Sequence, residues 1–172
     1  MRKSLQYPIG EFKEPKQVSL KEIEGWIEDI ENTPKQLKLA LEGLSEPLLD
    51  TSYRPGGWTV RQVVHHLADS HMNSYIRFKL ALTEDRPTIK AYDEKTWAAL
   101  PDTELPLSIS INLLESLHQR WAYLLKSMSM SDFEKTFFHP ETNKEISLST
   151  NVALYSWHGK HHIEHIKLVR VH

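Results

Sequence analysis

Four long segments of the chain place apolar side chains at helical spacing. Within each segment, hydrophobic residues recur every three or four positions, which puts them on one face of an α-helix. The predicted helices run from Ser19 to about Leu44, from Thr59 to about Leu82, from Ser108 to about Met128 and from Leu148 to about Val169. No run alternates convincingly between apolar and polar residues, so the pattern predicts an all-α protein.

Local sequence marks where the first two helices begin. Ser19 and Thr59 are each followed three residues later by Glu22 or Gln62, which is the capping-box pattern. The hydroxyl accepts a hydrogen bond from a free backbone amide, and the longer side chain reaches back to the capping residue. Pro34 lies inside the first helical pattern and is expected to kink or divide that helix, because proline has no amide hydrogen.

The segments between the helices carry weaker patterns. Residues 1–18 are expected to form an extended arm, residues 45–58 a loop, and residues 93–99 one or two helical turns. Residues 131–149 predict a helical turn followed by a small hairpin. Helices of about twenty residues are roughly 30 Å long, which suits a bundle. The expected architecture is one antiparallel four-helix-bundle domain over residues 1–172.

Composition removes several classes of function. The 172 residues include no cysteine, which excludes disulfides, iron–sulfur clusters, zinc ribbons and a thiol nucleophile in the chain itself. A formal net charge of −2 gives no general attraction to nucleic acid or to an anionic membrane. No stretch approaches the ~18 apolar residues of a membrane span, and no signal peptide is indicated. These features favour a cytoplasmic protein, although a secreted, disulfide-free protein without its signal would have the same composition.

Histidine is concentrated in two places. Four of the eight residues that end at His165 are histidines, and His65 and His66 lie far earlier in the chain. Positions four apart on a helix are separated by about 40° around its axis, so His158 and His162 project side by side. A histidine pair at this spacing is a common way for one helix to offer two metal ligands.

The third ligand is expected from the second helix. Val63 and Leu67 line its buried face, so His66 points into the bundle while His65 points elsewhere. Three protein ligands leave one position open for water or substrate, as in catalytic zinc sites. A closed structural site would need a fourth ligand, and the candidates are His65, His71, His118 and His165. The alternative for a lone helical histidine such as His71 or His118 is a hydrogen-bonded filler of the core.

Other charged side chains have expected roles around this site. Asp69 lies one turn beyond His66 and is expected to accept a hydrogen bond from the far ring nitrogen of that ligand. No general base can be identified. Four arginines either anchor an anionic substrate or are solvated surface residues: Arg54, Arg61, Arg77 and Arg120.

A rival metal motif is also present. His161 to His165 match the inverted zinc-protease pattern H-x-x-E-H, in which the outer histidines bind metal and the glutamate is the base. That scheme usually needs another acidic ligand well downstream, and only seven residues follow His165. Glu164 is therefore interpreted as a solvated surface charge.

Longer runs of the sequence resemble a known family. Tyr7 to Gly10, the segment from Gly56 to His71 and the helix that contains Trp157 and His158 closely resemble the YfiT-like branch of the DinB superfamily. The resemblance runs from the arm to about Ile166. It implies an up-down-down-up four-helix bundle, often dimeric, in which three histidines hold one divalent ion. The ligands implied by matching residues are His66, His158 and His162, which helix geometry also favours.

The resemblance implies a metal-dependent enzyme. Family members are described as metal-dependent hydrolases, and relatives as S-transferases of low-molecular-weight thiols such as bacillithiol. Zinc suits both reactions, because it lowers the pKa of bound water to about 7 and deprotonates a bound thiol. Nickel also binds such ligands. We expect hydrolysis of a small-molecule substrate by a homodimer, with thiol transfer as one alternative and a non-catalytic metal-binding module as another.

Overall fold

The computed structural model describes residues 5–171. In chain order its α-helices are α1 (Leu20–Leu41), α2 (Glu46–Leu49), α3 (Val60–Thr83), α4 (Glu94–Trp97), α5 (Leu107–Lys126), α6 (Met130–Phe133) and α7 (Leu148–Leu168). Two strands, β1 (Thr136–His139) and β2 (Lys144–Ser147), lie between α6 and α7. Turns of 3-10 helix cover Pro101–Glu104 and Val169–Val171. The four long helices confirm the predicted helical segments to within a few residues at each end.

The helix starts form as the capping boxes predict. The Ser19 hydroxyl accepts a hydrogen bond from the amide of Glu22, and the Thr59 hydroxyl accepts one from the amide of Gln62. Pro34 was expected to kink or divide the first helix, and the division does not occur, because α1 continues through this residue. Pro34 is buried, so packing against the rest of the bundle offsets the hydrogen bond that its ring removes.

Each long helix contacts two others in the bundle. α1 packs against α5 and α7, and α3 packs against the same two helices. α1 and α5 run antiparallel, because Glu31 pairs with Lys126 while Lys38, further along α1, pairs with Glu115, nearer the start of α5.

Side-chain contacts also give the direction of the remaining helices. α3 and α5 run parallel, since His65 contacts Ser110 and His71 contacts His118 further along both helices. Hydrogen bonds between α3 and α7 progress in opposite directions along the two helices, so α7 is antiparallel to α3. The order is therefore up-down-down-up for α1, α3, α5 and α7, which confirms the expected four-helix bundle.

The apolar core is divided into two clusters along the bundle axis. One cluster is centred on Phe78, Trp121 and Phe137, and the other contains Leu67 and Leu114. His71 of α3, His118 of α5 and His158 of α7 lie between the two clusters in sequence along each helix, and His66 lies one turn before His71 among residues of the second cluster. This polar layer is where the candidate site forms.

The smaller elements pack against the long helices α3 and α7. β1 and β2 form the predicted hairpin, with Thr136 paired to Ser147 and His139 paired to Lys144. The arm that precedes α1 packs along α7, where the Trp157 indole donates a hydrogen bond to the Gly10 carbonyl. Among residues 5–171, no helix is long and apolar enough to cross a membrane.

Candidate metal centre

Three histidines from two helices meet in the polar layer. His66 comes from α3, and His158 and His162 come from successive turns of α7. One ring nitrogen from each histidine lies within 4.8 Å of the other two. The structure thus brings together the three side chains that the sequence predicts as ligands, and in the described part of the chain it forms no other such group of three.

The protein environment keeps these rings neutral. Burial lowers the pKa of His66 to about 4. Burial also lowers the pKa of His158 and His162 well below the usual value, and the neighbouring histidines add to the effect. Neutral imidazole is the form that binds metal, so the site needs no deprotonation of its ligands near pH 7.

The distance between His66 and His158 fits two ligands of a tetrahedral metal ion. The Nε2 atoms of His66 and His158 are 3.3 Å apart. Two nitrogens bound to tetrahedral zinc at about 2.0–2.1 Å are separated by about 3.3 Å. Two unprotonated nitrogens at this distance repel one another, and a cation between them removes that repulsion. The donor set, three neutral imidazoles, suits zinc, nickel or copper.

His158 is connected to α5 and α1 through two further histidines. His158 Nδ1 lies 3.1 Å from His71 Nε2, and His71 Nδ1 lies 2.8 Å from His118 Nε2. His118 Nδ1 in turn is hydrogen-bonded to the backbone carbonyl of Ile30 in α1. His71 and His118 are 0% and 1% exposed, so this chain of contacts is shielded from solvent. We call it the His118 chain.

The Ile30 carbonyl is free to accept this bond because of Pro34. In an α-helix the carbonyl of a residue accepts the amide hydrogen of the residue four positions later. The residue four positions after Ile30 is Pro34, which has no amide hydrogen. The His118 ring therefore supplies the donor that α1 lacks at this point.

His162 has a similar connection through the arm. Its Nδ1 lies 3.4 Å from Nδ1 of His165, and His165 Nε2 lies 3.1 Å from the backbone carbonyl of Gln6. The His165 ring also stacks on Tyr53, with ring centroids 3.8 Å apart. We call the contacts from Gln6 through His165 to His162 the His165 chain.

The remaining predictions around the ligands have mixed outcomes. His65 is a structural residue, whose ring nitrogens contact the Ser110 hydroxyl and the Leu105 carbonyl at 2.7 and 3.0 Å. The expected role of Asp69 is wrong, because its carboxylate makes no hydrogen bond to any described residue. Burial, with a smaller contribution from the charge of Asp102, raises the pKa of Asp69 to about 6.

The inverted zinc-protease motif does not form a metal site. Glu164 pairs with Lys167 at 2.7 Å and lines a surface cavity together with Asp29 and Lys160. This position agrees with the interpretation of Glu164 as a surface charge. His165, the last residue of the motif, belongs to the hydrogen-bonded chain just described.

A cavity of about 360 Å³ is lined by two of the three clustered histidines, His158 and His162. This volume is in the range of small-molecule sites. Its walls include four aromatic side chains that the sequence pattern did not single out, namely Tyr7, Tyr53, Trp58 and Trp157. Their contributions come from the arm, from the loop before α3 and from α7, so no local motif could have grouped them.

Glu94 is the carboxylate on the wall of this cavity. The residue is exposed, but partial desolvation of the carboxyl raises its pKa, an effect that the charge of Arg77 partly opposes. Glu94 lies at the start of α4, in the segment for which the sequence predicted only a helical turn. Sequence analysis therefore missed it as a candidate acid or base.

The four candidate arginines lie in different surroundings. Arg61 pairs with two carboxylates and Arg120 lies over the Tyr75 ring, and neither of these nor Arg77 lines the cavity. Arg54 lines the cavity, and its buried Nε has no hydrogen-bond partner among the described residues. Arg54 is therefore the arginine best placed to meet an anionic group of a bound molecule.

Comparison with known proteins agrees with this geometry. The family model of the DinB superfamily matches residues 29–166. The chain belongs to the DinB superfamily. Proteins from Bacillus cereus (strain 03BB102) and Bacillus thuringiensis subsp. konkukian (strain 97-27) are 55% identical to it over 166 residues, 96% of this chain and 95% of each relative. Both carry the name "Putative metal-dependent hydrolase".

A solved structure of this kind is also similar. YfiT from Bacillus subtilis is 51% identical to the chain and superimposes with a TM-score of 0.94 over 97% of each chain. That structure is described as "a probable metal-dependent hydrolase with an unusual four-helix bundle topology".

Proposed function

We propose that this member of the DinB superfamily is a metal-dependent hydrolase of a small-molecule substrate. The observation that carries the proposal is the cluster of His66, His158 and His162, of which His158 and His162 line a cavity. Three protein ligands leave a divalent ion with an open coordination position, which is the arrangement of catalytic rather than structural zinc. The names of the relatives support the same reaction class.

The chemistry divides between the ion and the chain. When bound, a divalent ion with an open position lowers the pKa of water or of a thiol that coordinates there. The three histidines hold the ion, and the aromatic walls of the cavity exclude water from the bound molecule. Glu94 is the proposed general base, because it is the carboxylate of the cavity wall and partial desolvation raises its pKa, which makes the carboxylate a stronger base.

Thiol transfer is the second candidate, and one observation favours it. None of the three clustered histidines has a carboxylate hydrogen-bonded to it in the described residues, so no acid or base is held in place by a hydrogen bond to the ligands. Activation of a thiol by a metal needs no such group, because the ion itself stabilises the thiolate. The chain has no cysteine, so the thiol would come from the substrate.

Metal content is the first test. Protein stripped of metal and reloaded with zinc should bind one ion per chain, and His66→Ala, His158→Ala and His162→Ala should each lose stoichiometric binding. His65→Ala is the matched control, since this buried histidine lies beside His66 but contacts Ser110 instead of the cluster. Retention of one ion by all three ligand variants would refute the assignment. Nickel loading in parallel compares the two candidate metals.

Activity is the second test, with Glu94→Gln as the discriminating variant. The zinc-loaded protein should be assayed against ester and amide panels, and separately against a thiol with an electrophile. Loss of hydrolysis in Glu94→Gln, with metal still bound, supports a hydrolase with this base. Transfer activity that survives in Glu94→Gln, without hydrolysis in the parent protein, would favour the thiol transferase. No turnover in either assay would favour a metal-binding module.

A further inference from the structure

The two α7 histidines of the cluster are each tied to a backbone carbonyl elsewhere in the fold. The His118 chain ends on the Ile30 carbonyl in α1, and the His165 chain ends on the Gln6 carbonyl in the arm. A carbonyl oxygen can only accept a hydrogen bond. The end of each chain therefore determines which nitrogen of every ring in that chain carries its hydrogen.

The donor and acceptor nitrogens of the His118 chain can be assigned one ring at a time, starting from Ile30. Because Ile30 accepts, His118 Nδ1 must donate, and in a neutral ring His118 Nε2 is then an acceptor. His71 Nδ1 must donate to that acceptor, which leaves His71 Nε2 as an acceptor in turn. His158 Nδ1 must donate to His71, so the lone pair of His158 lies on Nε2, the atom 3.3 Å from His66 Nε2.

The His165 chain gives the same result for the other ligand. The Gln6 carbonyl accepts from His165 Nε2, so the lone pair of His165 is on Nδ1. His162 Nδ1 then donates to His165 Nδ1, and the lone pair of His162 lies on Nε2. Two chains that start from separate parts of the protein thus impose one tautomer on both α7 histidines.

We propose that His71, His118 and His165 are positioning residues that hold His158 and His162 in the Nδ1–H tautomer and direct both Nε2 lone pairs at one metal ion. The proposal rests on the proposed function, in which these two histidines bind the metal. A ligand histidine commonly donates its other N–H to a carboxylate or carbonyl, which fixes its tautomer. Here intervening imidazoles carry that constraint from the backbone, and Pro34 leaves one of the two carbonyls, that of Ile30, without its helical donor.

The tautomers can be measured directly. Long-range ¹H–¹⁵N correlation spectra of the ¹⁵N-labelled full-length protein distinguish a hydrogen on Nδ1 from one on Nε2. We expect Nδ1–H for His71, His118, His158 and His162 but Nε2–H for His165, in the metal-free and in the zinc-loaded protein. An Nε2–H signal from His71 or His158 would overturn the proposed polarity. This readout does not depend on enzymatic activity.

Zinc affinity gives the functional consequence. His118→Phe removes both ring nitrogens, and we expect zinc binding, measured by competition with a chelating dye, to weaken about tenfold. His118→Gln keeps one donor and one acceptor and should stay closer to the parent protein. His65→Phe is the control, because it removes an equally buried histidine with two hydrogen bonds that lies outside both chains.

The outcomes separate this proposal from the proposed function. Equal zinc affinity in His118→Phe and His65→Phe would show that burial alone matters and would overturn the positioning role. Failure of the parent protein to bind zinc would instead overturn the metal site, while the tautomer pattern could still be found. A folded His118→Gln with near-parental affinity, beside a weakened His118→Phe, supports the proposal against a general packing effect.

Discussion

Replacing Pro34 by alanine tests whether a helix defect serves the metal centre. The substitution restores the amide hydrogen that α1 lacks, and this hydrogen competes with His118 for the Ile30 carbonyl. A regular helix also turns that carbonyl along the helix axis and away from α5. We therefore expect Pro34→Ala to weaken zinc binding about tenfold, the size of effect seen when the hydrogen-bond partner of a ligand is lost.

The same substitution should change stability very little. Alanine is favoured over proline in a helix interior by about 3 kcal/mol. Against this gain stand two buried methylene groups, worth about 1.5 kcal/mol together, and one buried hydrogen bond, worth about 1 kcal/mol. These contributions nearly cancel, so the free energy of unfolding of metal-free Pro34→Ala should lie within about 1 kcal/mol of the parent value.

The free energy of unfolding and the zinc affinity should be measured on the same preparations. Urea unfolding followed by tryptophan fluorescence gives the stability of the metal-free protein, and dye competition gives the zinc affinity. A variant of unchanged stability and weakened zinc affinity is the expected result. If zinc affinity is unchanged, the Ile30 carbonyl accepts from both donors at once, and the reasoning that the centre depends on proline is refuted.

Three further predictions follow from other features. Gly159→Ala should destabilise the protein by about 1–3 kcal/mol, because the added Cβ would lie 2.9 Å from Thr33 Oγ1, whereas Gly25→Ala, with no atom within 4 Å, should stabilise it. The free energy of unfolding of metal-free protein, measured by urea titration, should fall as pH drops from 6.5 towards 4. Histidines of the unfolded chain bind protons in this range, whereas a buried histidine such as His118, with a pKa of about 4, does not. Each such buried histidine therefore lowers the free energy of unfolding by up to about 3 kcal/mol over this pH range. A free energy of unfolding that does not change with pH would contradict this. Arg54→Gln should weaken the inhibition of turnover by small carboxylates but not by their neutral amides, as measured by inhibition constants. Arg120→Gln is the control, because Arg120 lies over the Tyr75 ring and not in the cavity.

The fold could be predicted from local sequence because its signals are local. The capping boxes at Ser19 and Thr59 fixed two helix starts, and helical periodicity gave the length of all four long helices. Of the two outcomes predicted at Pro34, a kink or a division, the division is excluded, since the tolerance of a proline inside a helix depends on packing partners that are distant in sequence. The hairpin was predicted from a short, mixed segment and is confirmed by the pairing of β1 with β2.

The candidate site, like the fold, could be predicted only where it depends on residues that are close in sequence. The spacing of His158 and His162 determines that they are adjacent, whatever the rest of the chain does. The roles of His118 and His165 could not be deduced, because their partners are backbone carbonyls in α1 and in the arm. Asp69 was assigned to His66 from helical proximity alone, and proximity does not determine which way a carboxylate points.

The contact between His165 and Gln6 connects the metal centre to the arm that precedes α1. Proteolytic cleavage between Gln6 and α1 would free this arm and remove the carbonyl that His165 contacts. Cleaved and intact preparations should then differ in metal occupancy. The integrity of the arm, checked by mass spectrometry, is therefore a variable to control in metal-binding measurements on this protein.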